Sequence, residues 1–320
     1  MSVRATGPAS LGLVLVTSGA LLFIVNAGVS RVALRAGVDP LMLTSVRVTG
    51  TAVALLLVAA VFRPSALRPP GGRLGLLLVA HGLVGVAALQ WTYFVAIDRL
   101  PVGMALLLEY QAPILVALWA RVVGKEQVRG RMWVGLALAM LGLSAATGVW
   151  RGVTLDLVGI AAALGAAVCL AAYYLIGEHG VARLDPLRVI LWSFLVAAVG
   201  LNVFSPVASF QVGLLDTSVP LLGRLASYDV PVWSTLVWII LLGTLAPFAM
   251  TLLALRHLRA TTVTMIAMLE PVGVSALGWA WFYESLGAVA VIGGVAVVAG
   301  ILLAQSARHS PTLVEPPHLV

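Results

Sequence analysis

The sequence predicts an all-α integral membrane protein in which ten transmembrane helices form a five-plus-five inverted repeat, with both termini in the cytoplasm. The first observation is composition: 61% of the 320 residues are apolar, 10% are charged, and the mean hydropathy is +1.09. Soluble globular domains carry about 25% charged residues, so a lipid bilayer is the expected surrounding of most of this chain. The second observation is a series of long apolar runs, and the third is an internal repeat.

Ten apolar runs reach the length of roughly 20 residues that a helix needs to cross a bilayer. The first follows Arg4 and lacks a small-residue cleavage site, so we interpret it as a retained helix and not as a signal peptide. The single cysteine, Cys169, lies in the sixth run and can form neither an intrachain disulfide nor a cysteine metal site. The predicted helices are 11–32, 41–62, 74–97, 102–121, 131–150, 155–177, 187–205, 232–255, 260–282 and 286–306.

The connections between these runs are short, and no segment is large and polar enough to form a soluble domain. Residues 11–150 form the first predicted repeat and residues 155–306 the second. The Pro-rich residues 307–320 are predicted to be a disordered cytoplasmic tail. The longest connection, 206–231, contains three prolines, and we expect a short interfacial helix in it.

The distribution of positive charge predicts the orientation. With the N-terminus inside, 13 Arg and Lys residues fall on the cytoplasmic side and five on the outside, while Arg47 lies within a helix. Short cytoplasmic loops carry an excess of these residues, so the net charge of +7 indicates a membrane protein and not a nucleic-acid partner. The excess of Arg over Lys is typical of a GC-rich bacterial genome, which predicts a bacterial inner-membrane location.

The two halves of the chain resemble each other. At an offset of 158 residues, Glu126 matches Glu284, and the helix glycines and prolines match as well: Gly135 with Gly293, Gly142 with Gly300, and Pro113 with Pro271. Upstream, Asp39-Pro40 matches Asp185-Pro186 at an offset of 146. Because five helices are an odd number, the second half must be inverted in the membrane. Inverted repeats are typical of secondary transporters, which bind their substrate at the repeat interface near the midplane.

Two segments carry a family resemblance: "RLPVGMALLLEYQAPILVALWARVVGKEQVRGRMWVGLALAMLG" and "HLRATTVTMIAMLEPVGVSALGWAWFYESLGAVAVIGGVAVVAG". Each has an apolar helix with a central proline, a turn with a glutamate, and a Gly-rich helix. Residues 11–306 thereby resemble the EamA family of the drug/metabolite transporter superfamily, which includes the threonine/homoserine-type amino-acid exporters. The resemblance implies a central cavity and alternating access. One departure is Tyr283-Glu284, which replaces the commoner Gly-Glu turn.

Glu109 and Arg47 are charged residues that the predicted helices place near the middle of the bilayer. Glu109 lies eight residues, about 12 Å, from the outer start of the fourth helix, and Arg47 lies at similar depth in the second. A charge at the bilayer centre costs at least about 2.5–3.5 kcal/mol, so each needs a partner or a function. Either the two form a structural ion pair, or Glu109 binds substrate and exchanges a proton.

Glu270 is the second acidic candidate, in the ninth helix. Its counterpart in the first repeat is Ala112, three residues from Glu109, so both helices present a carboxylate on a similar face. Pro113 and Pro271 follow these carboxylates and free backbone carbonyls, as expected of cavity-lining helices with a flexible middle. A packing carboxylate bonded to a neighbouring helix is the alternative for Glu270.

Other polar side chains in the predicted spans are candidates for substrate contacts. Trp91 is a candidate aromatic wall for an organic solute, and helix–helix packing is the alternative for the amide groups. Together with the charged residues, the predicted substrate-binding residues are Asn26, Arg47, Gln90, Trp91, Glu109, Tyr110, Gln111 and Glu270.

For six further polar residues, the sequence favours or allows a structural role. His81 is either a packing residue or a proton relay, and nothing around it has metal-ligand spacing. We interpret Tyr93, Tyr173 and Tyr174 as interfacial aromatic residues. Glu126 and Glu284 lie at helix turns near opposite faces, where we expect capping or gate groups.

The sequence contains no phosphate-binding loop, no zinc-protease motif and no nucleophile elbow, so we expect neither cofactor, metal site nor enzymatic activity. We expect a secondary transporter that exports small metabolites such as amino acids by alternating access, with or without proton coupling. The alternatives are a facilitated exchanger or uptake carrier for another organic solute, a membrane-embedded enzyme, or a channel. The small-residue faces of the fifth and tenth helices are expected to pack within the bundle or to form a homodimer.

Overall fold

The computed structural model of the chain describes residues 9–100, 102–126, 128–147 and 156–306. Within these ranges, nine helices are at least 18 residues long and apolar enough to cross a membrane. A tenth, shorter apolar helix, Gly130–Ala146, lies where the fifth span was predicted. The prediction of a ten-helix, all-α membrane protein is confirmed, whereas the predicted tail 307–320 lies outside the described residues.

We number the spanning helices in chain order and give letters to the two parts of a broken helix. Their ends lie within four residues of the predicted ones where both are described. The helices are α1 Ala9–Arg35, α2 Pro40–Phe62, α3 Gly72–Arg99, α4a Val102–Glu109, α4b Ala112–Val122, α5 Gly130–Thr147, α6 Leu157–Val181, α7 Pro186–Phe204, α8 Val232–Ala254, α9a Ala260–Ala267, α9b Leu269–Phe282 and α10 Ala288–Ser306.

The two Asp-Pro pairs detected in the sequence begin equivalent helices. Asp39 is the N-cap of α2, where its Oδ1 accepts a hydrogen bond from the Met42 amide at 3.0 Å. Asp185 is the N-cap of α7, where its Oδ1 accepts from the Leu187 amide at 2.9 Å. In both cases proline occupies the first helical turn, whose amides have no intrahelical partner. The repeat is therefore visible in the local chemistry of both halves.

Irregular segments also occur at equivalent positions in the two halves. A π-helical segment covers His81–Ala88 in α3, and a second covers Leu241–Leu245 in α8. The fourth helix breaks at Tyr110 and the ninth at Met268, two residues that lie 158 apart. Such departures from α-helical geometry are frequent at functional sites.

Helices α5 and α10 pack directly against each other within the chain. A Cβ atom at Gly135 would overlap the carbonyl oxygen of Gly300, and one at Gly142 would overlap that of Gly293. The four glycines thus let two backbones meet where side chains would separate them. These glycines therefore pack within the bundle, as one of the two alternatives for the small-residue faces expects.

The long connection between α7 and α8 contains no α-helix among its described residues, so the predicted interfacial helix is wrong. Three 3₁₀ turns and a short antiparallel ribbon, β1 Ser218–Pro220 with β2 Asp229–Pro231, replace it. The connection is tied to α9b, because the indole Nε1 of Trp281 donates to the carbonyl of Leu221 at 3.0 Å. Gly223 has a positive φ of 52° and lies so close to the Trp281 carbonyl that a side chain would not fit.

Candidate functional site

A cavity of about 730 Å³ lies between the two halves of the bundle. Helices α1, α2, α3 and α4a of the first half and α6, α8 and α9b of the second contribute to its wall. Its polar lining includes the three charged residues that the sequence places near mid-bilayer, Arg47, Glu109 and Glu270. The cavity therefore brings together these three charged candidates from three different helices.

The two helix breaks position both carboxylates. Glu109 is the last residue of α4a, and Glu270 lies in the first turn of α9b. Tyr110, in the break that follows Glu109, donates a hydrogen bond from its hydroxyl to Glu270 Oε2 at 3.0 Å. Proline lies in the first turn of α4b at residue 113 and near the start of α9b at residue 271. The predicted flexible middle of each helix is thus a discontinuity at the cavity.

The electrostatic partner of Arg47 in this structure is not Glu109. No ion pair among the described residues joins these two, and the Nε of Arg47 is buried without a hydrogen-bond partner. The carboxylate that interacts electrostatically with Arg47 across the cavity is Glu270, which also interacts with Glu109. The alternative in which Glu109 and Arg47 form a direct structural pair is absent from this conformation.

The amide candidates differ in position. Asn26 and Gln90 are buried and line the cavity, and the Oδ1 of Asn26 has no hydrogen-bond partner among the described residues. Gln111 is not in the cavity wall; its amide nitrogen donates to the carbonyl of Leu107 at 3.2 Å.

Trp91 is placed away from the cavity. Its side chain is 54% exposed on the outer surface of the bundle, where it stacks on Phe204 with ring centroids 6.2 Å apart. Phe204 is 75% exposed as well. In a membrane protein this surface faces lipid, so the structure offers no support for Trp91 as a wall of the substrate site.

His81 is buried behind the cavity wall. Its Nε2 lies 3.1 Å from the carbonyl oxygen of Tyr173, which can only accept, so Nε2 carries a proton. Its Nδ1 lies 2.7 Å from the hydroxyl of Ser193, and its ring stacks on Tyr173. Both ring nitrogens have protein partners, as the packing alternative requires. No group of three potential metal-ligating side chains converges in the part of the chain that the structure describes.

The tyrosines assigned to the membrane interface lie in the cavity wall instead. Tyr173 and Tyr174 are buried and line the cavity, and Tyr93 lines it from α3. The interfacial assignment is therefore wrong. For Tyr173 and Tyr174 the cause is the end of α6, which lies at Val181 and not at residue 177, so that Tyr174 is about two turns inside the helix.

Apolar side chains complete the wall and were not selected from the sequence. Phe248 of α8 contacts Phe23, Tyr173 and Phe194 edge-on, with ring centroids 5.2–5.5 Å apart. Phe23 and Phe248 both line the cavity. Nothing in the sequence distinguishes these two from other aromatic residues in apolar runs, since their role depends on which helices surround them.

The two glutamates at helix turns form ion pairs with the opposite half. Glu284 Oε1 lies 2.5 Å from Arg31 Nη1, and both residues line the cavity. Glu126 Oε2 lies 2.6 Å from Arg259 Nη1, and these two line a separate cavity of about 180 Å³. Arg31 is a further residue of the site, and from the sequence alone it is only one of the five charges expected on the outer side.

Comparisons with known proteins agree with this architecture. The sequence profile of the EamA-like transporter family matches residues 10–147 and again residues 157–305. The threonine/homoserine exporter RhtA of Escherichia coli (strain K12) is 28% identical over 251 residues, which cover 78% of this chain and 77% of that protein. An uncharacterized transporter of Archaeoglobus fulgidus is 25% identical over 229 residues, with coverage of 69% and 75%. A crystal structure of a protein that is 20% identical superposes with a TM-score of 0.73 over 94% of this chain and 98% of the other, which shows a shared fold.

Proposed function

The chain belongs to the EamA-like transporter family and is a multi-pass membrane transporter of the bacterial inner membrane. On this premise we propose that it exports small amino acids or closely related amphipathic metabolites by alternating access. One observation carries the proposal: two broken helices, one from each half, present the carboxylates Glu109 and Glu270 to a single cavity that Arg47 of α2 also lines. Discontinuous helices at a repeat interface form the substrate sites of several families of secondary transporters.

Arg47 is the proposed partner of the substrate carboxylate. Its guanidinium lines the cavity, and in this structure it makes no hydrogen bond to a described residue that would have to be broken first. A guanidinium matches a carboxylate through two parallel hydrogen bonds. The N-terminus of α9b opens on the same cavity and adds the positive end of a helix dipole, which favours an anion.

Glu109 is the proposed partner of the substrate ammonium group and, in turn, of a proton. Its carboxylate lines the cavity and has no hydrogen bond or ion pair among the described residues, whereas Glu270 is already bonded to Tyr110. A carboxylate that accepts an ammonium group and a proton in alternation couples the two fluxes, because the two ligands compete for one negative charge. Export with proton antiport follows from this competition.

The remaining wall is proposed to surround the substrate side chain. Asn26 and Gln90 offer hydrogen bonds on one side, while Phe23, Phe248 and Leu277 offer apolar contact. Substrate pockets are typically lined by apolar groups with a few polar groups that fix orientation. The RhtA relatives are named exporters of threonine and homoserine, and substrates of this zwitterionic class fit the charge pattern of the cavity.

The test uses purified protein in proteoliposomes. We would measure counterflow of a labelled amino-acid mixture with and without an imposed pH gradient, for wild type and Glu109→Gln. The expected result is saturable counterflow that responds to the gradient in wild type and loses this response in the variant. Asp216→Asn, which neutralises an exposed carboxylate in the connection between α7 and α8, is the matched control and should behave as wild type.

Three other outcomes would change the proposal. Counterflow that keeps its gradient response in Glu109→Gln would remove Glu109 from proton coupling. Flux without saturation would indicate a channel. Absence of counterflow for every amino acid would reject the proposed substrate class.

A further inference from the structure

Among the described residues, three ion pairs connect the halves of the protein, and two of them line cavities at opposite ends of the bundle. Glu126, in the connection after α4b, pairs with Arg259 in the connection before α9a. Glu284, after α9b, pairs with Arg31 near the end of α1. The charge distribution of the sequence places the first pair at the cytoplasmic end and the second at the outer end.

The two acids are equivalent in the internal repeat, while their partners are not. Glu126 and Glu284 lie 158 residues apart, as do the helix breaks at Tyr110 and Met268. Each acid reaches an arginine of the other half, so each pair crosses the interface between repeats. Rigid-body movement of one repeat against the other would therefore stretch one pair at a time.

Each pair lies on the route between the central cavity and one face. Arg31 and Glu284 are in the wall of the 730 Å³ cavity at its outer end. The guanidinium carbon of Arg31 also lies 4.4 Å from the centre of the Phe282 ring, so this arginine holds the end of α9b by two contacts. Glu126 and Arg259 are in the wall of the 180 Å³ cavity at the other end, beside Glu178.

We propose that these two ion pairs are the alternating latches of the transport cycle. The outer latch, Arg31–Glu284, opens when the central cavity faces outward, and the inner latch, Glu126–Arg259, opens when it faces the cytoplasm. Both are closed in this structure, which therefore corresponds to a state between the two. The inference rests on the proposed carrier function, because a channel would open both ends together.

The strength of such pairs suits this role. All four side chains are partly exposed to solvent, between 25% and 52%. Exposed ion pairs change an equilibrium by only about two- to five-fold. A latch of this strength biases the distribution of conformations without locking it, so neutralising one latch is expected to shift the population toward the state in which that latch is open.

The experiment measures access to the central cavity and needs no substrate. The single cysteine is removed by Cys169→Ala, and Ala27→Cys places a reporter thiol in the cavity wall. A membrane-impermeant maleimide is then applied to right-side-out and to inside-out vesicles. Glu284→Gln should raise the labelling rate from outside about two- to five-fold and lower it from inside; Glu126→Gln should do the reverse.

Two controls separate a latch from a general loss of stability. Exchanging the charges in Arg31→Glu with Glu284→Arg should restore the labelling of the parent on both sides. Arg99→Gln removes the Arg99–Asp156 ion pair, which also joins the two halves but whose members line neither of the two cavities, and should leave labelling unchanged.

The proposal is overturned if either glutamate variant raises labelling from both faces, if neither changes it, or if Arg99→Gln has the same effect. Reciprocal shifts together with no amino-acid counterflow would support the latches and reject the proposed substrate class. Amino-acid counterflow without reciprocal labelling shifts would support the substrate class and reject the latches. The experiment therefore distinguishes failure of one proposal from failure of the other.

Discussion

The hydroxyl of Tyr110 donates to Glu270 Oε2 at 3.0 Å and so connects the break in the fourth helix with the first turn of α9b. The two residues are 160 positions apart and belong to different repeats. Each half thus holds the irregular segment of the other at the point where the substrate is proposed to bind. A change in the relative position of the two halves would therefore also change the positions of Tyr110 and Glu270 in the site.

Removal of this bond is expected to impair transport more than folding. In Tyr110→Phe, Glu270 loses its hydrogen-bond donor, and a bond to a charged group contributes about 1.5–3 kcal/mol. Counterflow at low substrate concentration should fall about ten-fold or more, while Tyr228→Phe, in the exposed connection, should match wild type. A double-mutant cycle with Glu270→Gln checks the link, because strictly additive effects of the two substitutions would show that the residues act separately.

Arg47 is expected to determine the apparent affinity of the transporter for its substrate. Arg47→Gln removes the proposed partner of the substrate carboxylate, and the half-saturation concentration in counterflow should rise about ten-fold or more. Arg47→Lys keeps the charge but loses the paired donors, so its effect should be intermediate. An unchanged half-saturation concentration in Arg47→Gln would contradict the assignment, and Arg99→Gln serves as the arginine control outside the cavity.

The His81–Ser193 contact is expected to contribute to stability and not to proton coupling. Ser193→Ala removes the 2.7 Å partner of His81 Nδ1, and polar contacts between helices in membranes contribute about 1–2 kcal/mol. The variant should unfold at a lower denaturant concentration than Ser306→Ala, whose hydroxyl is exposed at the end of α10. Its counterflow should retain the wild-type response to a pH gradient; a lost response would return His81 to the proton pathway.

The contact between α5 and α10 is expected to tolerate no side chain at its crossing points. Gly300→Val would force a branched side chain against the backbone of Gly135 and Ala139, which cannot rotate away. Overpacking of this kind costs about 1–3 kcal/mol or more, so the unfolding temperature in detergent should fall clearly. Gly287→Ala, at a position with open space around it, is the control. Equal unfolding temperatures for the two variants would argue against a close backbone contact in the membrane.

The sequence predicted those features that depend on local composition. Span lengths follow from apolar runs, and the two matching Asp-Pro pairs identified equivalent positions in the two halves, whose N-cap role came from the structure. Glu109, Glu270 and Arg47 could be selected because a charge in an apolar helix is costly wherever it lies. Their meeting in one cavity could be expected from the repeat, but the identity of the nearest partners could not.

Features that depend on the rotation of a helix about its axis, or on the exact residue at which it ends, could not be predicted from the sequence. Trp91 and Tyr93 are two residues apart, yet one is at the outer surface and the other in the cavity wall, because a helix turns by about 200° between them. Tyr174 was misassigned through a four-residue difference in the end of α6. The partners of Glu126 and Glu284 come from distant segments, which no spacing rule connects to them.

The glycine contact between α5 and α10 has a consequence for assembly in the cell. Both surfaces of this contact are supplied by one polypeptide, so their meeting is an intramolecular event with a fixed effective concentration. A contact built from two separate five-helix proteins would depend on how many copies of each were made and on their diffusion in the bilayer. Here the contact forms within each copy of the protein, so its formation does not depend on how many copies the cell makes.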